Sequence, residues 1–113
     1  MALVSFGKIT VTSAGTLVRV TVGETDPAAA LLAHSCLFQQ IPGNTGKIYV
    51  FERPTGSASS YVGCVAILAI PTVNVLPSYS VSVLPVPAGI SMNDFYVDAQ
   101  VNGEGCLVSC LQI

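Results

Sequence analysis

The chain has no tryptophan, a single histidine and few charges: four Lys and Arg and six Asp and Glu among 113 residues, for a net charge of −2. Each shortage excludes something. Lys8, Arg19, Lys47 and Arg53 are scattered, whereas neutralising several phosphates takes a cluster of basic side chains. Nucleic acid is therefore not an expected partner. The longest apolar run, Val62 to Ile70, stops at Pro71, far short of the roughly 20 residues a spanning helix needs. No membrane partner is expected either. The opening Met1-Ala2-Leu3-Val4-Ser5-Phe6-Gly7-Lys8 shows no basic region ahead of an apolar stretch. No secretory signal is read there, and assembly in a cytoplasm is expected.

What the chain does have is apolar residues. They make up 51% of it against 9% charged, where about 25% charged is ordinary. A solitary soluble domain usually carries more charge on its surface, so a neighbouring copy or another protein is expected to cover part of this one. The length suits one domain, residues 1–113, able to bury roughly two thirds of the surface its unfolded form exposes.

The apolar residues recur with a period of two, interrupted by Gly, Pro, Asn and Ser, which predicts short strands joined by turns. About eight are expected. They are Leu3 to Thr12, Thr16 to Val22, Ser35 to Ile41, Lys47 to Arg53, Cys64 to Ile70, Ser78 to Leu84, Phe95 to Val101 and Cys106 to Leu111. Ala28 to Leu32 is read as a helical turn, and Thr55 to Ser60 as a small polar loop. Pro42-Gly43-Asn44-Thr45-Gly46 and Asn102-Gly103-Glu104-Gly105 are dense turn signals. Ser91 is read as the cap of one helical turn, while Pro85 and Pro87 forbid a central strand there. Cys64 to Ile70 is apolar on both faces, as befits a central strand or one facing another subunit. The expected fold is an all-β, single-domain β-sandwich, jelly-roll-like.

Candidate chemistry is thin. His34 precedes Ser35 and Cys36; on a regular strand Ser35 points away from it while Cys36 shares its face. No oxyanion-hole or nucleophile-elbow pattern accompanies the pair, so a structural histidine is the reading, and the chain is not expected to be an enzyme. Cys36, Cys64, Cys106 and Cys110 lack the paired turn spacing of zinc ligands. Cys106 and Cys110 on one strand would stand about 13 Å apart. With no export signal read, disulfides are not expected; the four read as small buried hydrophobes, with a Cys36–Cys64 or other cross-strand contact left open. The carboxylates Glu24, Asp26, Glu52, Asp94, Asp98 and Glu104 are read as solvated loop charge. Asp94, Asp98 and Glu104 could approach one another near the last hairpin and hold calcium, but they lack the spacing of a dedicated calcium loop. Gly43-Asn44-Thr45-Gly46-Lys47 falls short of a phosphate loop, and a strand follows it where a helix is needed. No cofactor and no metal are expected.

That leaves surface. The weakly indicated contact residues are Val65, Ile67, Leu68, Val73, Val75, Leu84, Val86 and Ile90, in three apolar segments whose exposure would mark an association surface.

Two segments resemble small structural proteins of tailed-phage virions. In Leu37-Phe38-Gln39-Gln40-Ile41-Pro42-Gly43-Asn44-Thr45-Gly46-Lys47-Ile48-Tyr49-Val50, an apolar strand runs into Asn-Thr-Gly and then an Ile-Tyr-Val strand. The second segment is Asp94-Phe95-Tyr96-Val97-Asp98-Ala99-Gln100-Val101-Asn102-Gly103-Glu104-Gly105, with the closing strand near Val108 and Ser109. The resemblance implies a virion β-sandwich, best fitting a capsid cement or decoration protein. Such proteins sit on the outer surface of the head, often as trimers, and bridge major capsid subunits. The alternative is a head–tail connector, tail or spike-base component. The chain departs from the pattern at Phe51-Glu52-Arg53, and the resemblance carries no functional residue over.

Overall fold

Alternating side chains sort into two antiparallel sheets in the computed structural model, which describes residues 2–20, 32–54, 61–82 and 90–112. Among those residues there are nine strands. They are β1 (Ala2–Thr10), β2 (Val18–Arg19), β3 (Leu32–Gln40), β4 (Ile48–Glu52), β5 (Cys64–Leu68), β6 (Ser78–Ser82), β7 (Ile90–Ser91), β8 (Phe95–Ala99) and β9 (Gly105–Gln112). One sheet has the order β1-β9-β3-β6, with β7 also on β3; the other has the order β2-β8-β4-β5.

The pairing is nested. β1 lies on β9, β2 on β8, β3 on β6 and β4 on β5. A long antiparallel ribbon rolled across two sheets gives this order, that of a jelly roll. The predicted all-β sandwich is therefore the fold.

The core fills the space between the sheets. Cys36, Phe38, Cys106, Val108 and Cys110 enter from the first sheet, and Ile48, Val50, Phe95, Val97 and Ala99 from the second. The rings of Phe38 and Phe95 meet across the gap, with centroids 5.2 Å apart. Fully burying one such ring is worth about 2–3 kcal/mol.

Among the described residues, three bulges adjust the alternation; the one in the β4–β5 pair falls between Val50 and Phe51 and leaves Val65 as the extra residue. In β1 the register slips between Ser5 and Gly7, where Gly7 has φ +67°, a conformation that glycine adopts without a Cβ penalty. In β3 it slips between Ala33 and Ser35, leaving His34 as the extra residue. β3 therefore starts at Leu32, earlier than the Ser35 expected from the sequence. Ala28 to Leu31, Gly23 to Pro27, Thr55 to Ser60 and Pro85 to Pro87 lie outside the described residues. Ser91 does stand before a 3-10 turn, residues 92–94, but its side chain makes no cap hydrogen bond. The turn is held by packing, with Met92 buried.

Where β3 passes into β4, the chain reverses through a polar network. Gln40, completely buried, donates from Nε2 to the carbonyls of Gly46 (3.3 Å) and Ala69 (3.1 Å). Its Oε1 accepts from Asn44 Nδ2 (2.6 Å) and the Ile41 amide (3.2 Å). Asn44 Nδ2 also reaches the Gly105 carbonyl at 2.8 Å. A buried amide with its donors and acceptors satisfied fixes the three segments it joins, because any one of them moving would strand a polar group.

Candidate functional site

β5 is an edge strand, paired with β4 on one side. Of the two readings of this doubly apolar segment, the central-strand one is thus corrected: the strand is apolar on both faces, yet one face is open. Leu68 and Ala66 turn inward, while Val65 (39% exposed) and Ile67 (54%) turn outward. The open apolar surface continues at both ends of the strand. Tyr61 packs its ring edge-on against Tyr49 (5.7 Å) beside exposed Val62. Beyond β5, Ile70, Val73 and Val75 are exposed on the link to β6.

The tip of that link is a tight reversal. The Thr72 amide donates to the Val75 carbonyl (2.9 Å), and the Val75 amide donates to Thr72 Oγ1 (3.1 Å). Thr72 and Val75 hold each other, and Val73 between them is fully exposed, at 100%. Pro71 and Pro77 stiffen its two roots. Between this arm and the turn at Pro42 to Asn44 lies a concavity of about 490 Å³, lined also by Thr72, Val73 and Leu76. None of its lining residues is titratable. It offers shape and apolar contact, and no group for acid, base or nucleophile work.

The eight contact residues of the sequence analysis divide accordingly. Val65, Ile67, Val73 and Val75 are all exposed, the first two on β5 and the other two on the link that follows it. Leu68 (2% exposed) and Ile90 (7%) are core residues, because each points between the sheets, and both are withdrawn as contact residues. Leu84 and Val86 lie outside the described residues. The sequence reading missed Tyr61 and Val62; Ile70 falls within the candidate strand Cys64 to Ile70 but is not named there as a contact residue. The signal that would have found them is charge: between Arg53 and Asp94 the chain has no charged residue.

A second weakly charged area is the outer face of the first sheet. Leu3, Leu107 and Leu111 alternate there with Ser5, Ser35, Ser80, Ser82 and Ser109. Among the described residues of these four strands, Lys8 alone is charged on that face. A shallow concavity of about 330 Å³ opens on it. The outer face of the second sheet is aromatic and polar. Arg19 donates to the Tyr96 hydroxyl (2.6 and 3.0 Å) with its guanidinium carbon 5.3 Å from the ring centre.

The candidate chemical groups are dispersed. The β3 bulge breaks the alternation that would align His34 with Cys36; Ala33 is the residue that shares the buried face with Cys36. The Cys36 thiol is pushed up to about 12, by burial first and by the nearby Cys110 second. At neutral pH it is a protonated core side chain and a poor nucleophile.

The three acids near the last hairpin part company. Asp94 faces Arg53 (3.6 Å), whose other neighbour is Glu52 (3.6 Å). Asp98 accepts from the Gly15 amide (2.8 Å) and is buried, which corrects its reading as solvated loop charge. Glu104 accepts from the Thr45 amide (2.8 Å), the Thr45 hydroxyl (2.9 Å) and the Gly46 amide (2.9 Å). The glycine turn 43–47 is thus an anion nest already filled by the protein's own carboxylate. Among the described residues, no three His, Cys, Asp or Glu side chains group as metal ligands, and no helix is long and apolar enough to cross a membrane. Glu24 and Asp26 lie outside the described residues.

No protein-family model, curated protein or solved structure matches the chain.

Proposed function

We propose that the chain is a structural module of a tailed-phage virion, a capsid cement or decoration protein that acts by surface contact and catalyses no reaction. The observation that carries the proposal is the charge-free apolar strip from Tyr61 to Val75, exposed along a free sheet edge and a proline-braced arm. A monomer gains nothing by leaving such a strip in water. Against another protein, each buried Val or Ile side chain is worth about 1.5–3 kcal/mol, reduced by the ordering that association imposes. The arm lowers that ordering cost, because its tip is already braced by Thr72 and the two prolines.

In this reading the strip meets the major capsid protein on the outer surface of the head, or a sibling copy in a trimer. Repetition over the shell then adds avidity to a modest single contact. The jelly-roll order supports the reading by analogy, since shell proteins of viruses use that architecture, as do lectins and cupins. The two turn-and-strand resemblances support it from the sequence side. The scattered positive charge leaves nucleic acid an unsuitable partner.

The test is a count. Quantitative mass spectrometry of virions from the phage that encodes the chain is expected to find it in simple proportion to the major shell subunit. A copy number matching the portal ring or tail tip would replace the cement role by an axial one. Absence from the particle would overturn the virion reading altogether.

A further inference from the structure

We propose that Cys36 and Cys110 are the two halves of a cross-strand disulfide that locks β9 to β3 under oxidising conditions. The register places them directly opposite each other in the β3–β9 ladder. Both point into the core, and both are buried.

Whether two opposite residues can be bridged depends on which kind of pair they form. In a strand, the amide and carbonyl of one residue point to the same side, and successive residues alternate. The Gln40 amide donates to the Pro77 carbonyl (2.9 Å), on the β6 side of β3. No register shift lies between Gln40 and Cys36, so Cys36, two pairs back, also directs its backbone toward β6.

The partner strand gives the same answer independently. Val11 exchanges backbone bonds with Gly103 (2.8 Å) and Glu104 (2.9 Å), so Val11, and Ile9 two residues before it, face β9. Ile9 pairs with Cys106. Cys106, Val108 and Cys110 therefore direct their backbones toward β1 and away from β3.

Cys36 and Cys110 are thus a non-hydrogen-bonded pair, the close kind. In pairs of this kind the Cα atoms stand about 4.5 Å apart, inside the roughly 4.4–6.8 Å that a disulfide spans. The other two cysteines are badly placed. Cys106 faces Gln40, four residues along and about 13 Å away, and Cys64 is in the other sheet.

The chemistry is thiol–disulfide exchange with a small-molecule disulfide such as oxidised glutathione. One cysteine thiolate attacks a sulfur of the oxidant, whose S–S bond breaks and releases one thiol. The second thiolate then attacks the protein sulfur of the mixed disulfide and releases the second thiol. Two protons and two electrons pass from the cysteines to the oxidant. Burial pushes both thiols above the usual cysteine range, and Cys36 is raised further by Cys110. The folded, reduced protein is therefore slow to react, and closure belongs to folding, before the thiols are buried. The inference is independent of what the apolar strip binds.

The test is to refold the full chain with oxidised and reduced glutathione, alkylate the remaining thiols and map peptides without reduction. The expected result is a linked Cys36–Cys110 pair with Cys64 and Cys106 alkylated. The thermal midpoint should rise by about 10 °C and fall back on adding a dithiol reductant. Cys36→Ala should abolish both effects, and Cys64→Ser neither. If Cys36→Ala does not fold, the wild-type map decides alone. Four alkylated cysteines, a link through Cys64 or Cys106, or an oxidised form that melts lower would overturn the inference.

Discussion

Two neighbouring reversals at one end of the sandwich are built on opposite principles. The turn at residues 41–47 is polar and tied inward: Gln40 and Glu104 give its backbone groups partners, and Asn44 bonds the Gln40 side chain and the Gly105 carbonyl. The link at residues 69–77 is apolar and faces outward, with Val73 wholly exposed and Val75 mostly so. The two are joined through the Gln40 bonds to the Ala69 and Pro77 carbonyls, with a concavity between them. A buried polar network specifies the fold of the chain that contains it, because leaving it half made is costly. Exposed apolar side chains specify nothing within the monomer and become useful only when something covers them. Stability and assembly should therefore be separable by mutation at this end of the molecule.

The largest effect should come from Gln40→Leu. The substitution keeps the volume and removes the amide, leaving the Gly46 and Ala69 carbonyls and the Asn44 amide without this partner. Stranding several buried groups should cost about 3 kcal/mol or more, measured as a lower urea midpoint with an unchanged slope. A loss below about 0.5 kcal/mol would mean that water replaces the side chain, and the contrast between the two reversals would fade.

Glu104→Gln comes next. Burial raises the carboxyl, but the bonds from Thr45 and Gly46 and the charge of Lys8 outweigh it, so Glu104 sits below the usual glutamate range. Its folded pKa is thus lower than its unfolded one. The stabilisation is present above the unfolded pKa and is lost as pH falls through the folded pKa. The carboxylate is partly open to solvent, so the loss should be about 1 kcal/mol. Stability of the wild type should fall through that acid window, and that of the variant should be flatter there. Equal acid sensitivity of the two proteins would assign it to other carboxylates.

Much of this contrast was legible in the sequence, and the part that was not has a physical cause. The period-two pattern predicted the sheets, and Pro42 to Gly46 announced its turn, because both signals are local. Glu104 read as a solvated charge because its partners, Thr45 and Gly46, are far away in sequence and only the rolled topology brings them together. His34 was placed on the face of Cys36 because alternation was counted through a bulge that the sequence does not mark. Leu68 and Ile67 look equally greasy in a list of residues. Only the register on β4, which sets Leu68 opposite buried Ile48, tells the inward one from the outward one.

Val73→Asp should have the smallest effect on stability and completes the separation. Val73 makes no buried contact to lose, and its neighbours hold the turn without it: the two bonds that close the reversal belong to Thr72 and Val75. The variant should unfold within about 0.5 kcal/mol of the wild type. Its association should nevertheless suffer, because a carboxylate carried to the tip of the arm would have to be desolvated against an apolar partner. The measurement pairs a urea titration with sedimentation of the protein alone and, to test the proposed cement role, with DNA-free phage heads. Unchanged stability with lost co-sedimentation or a lost oligomer assigns the arm to assembly. Unchanged behaviour in both would move the contact to the serine-and-leucine face of the first sheet, where Leu107→Asp is the corresponding probe. A large loss of stability would show instead that the arm packs on its own domain, and that the two reversals are less different than their exposure makes them.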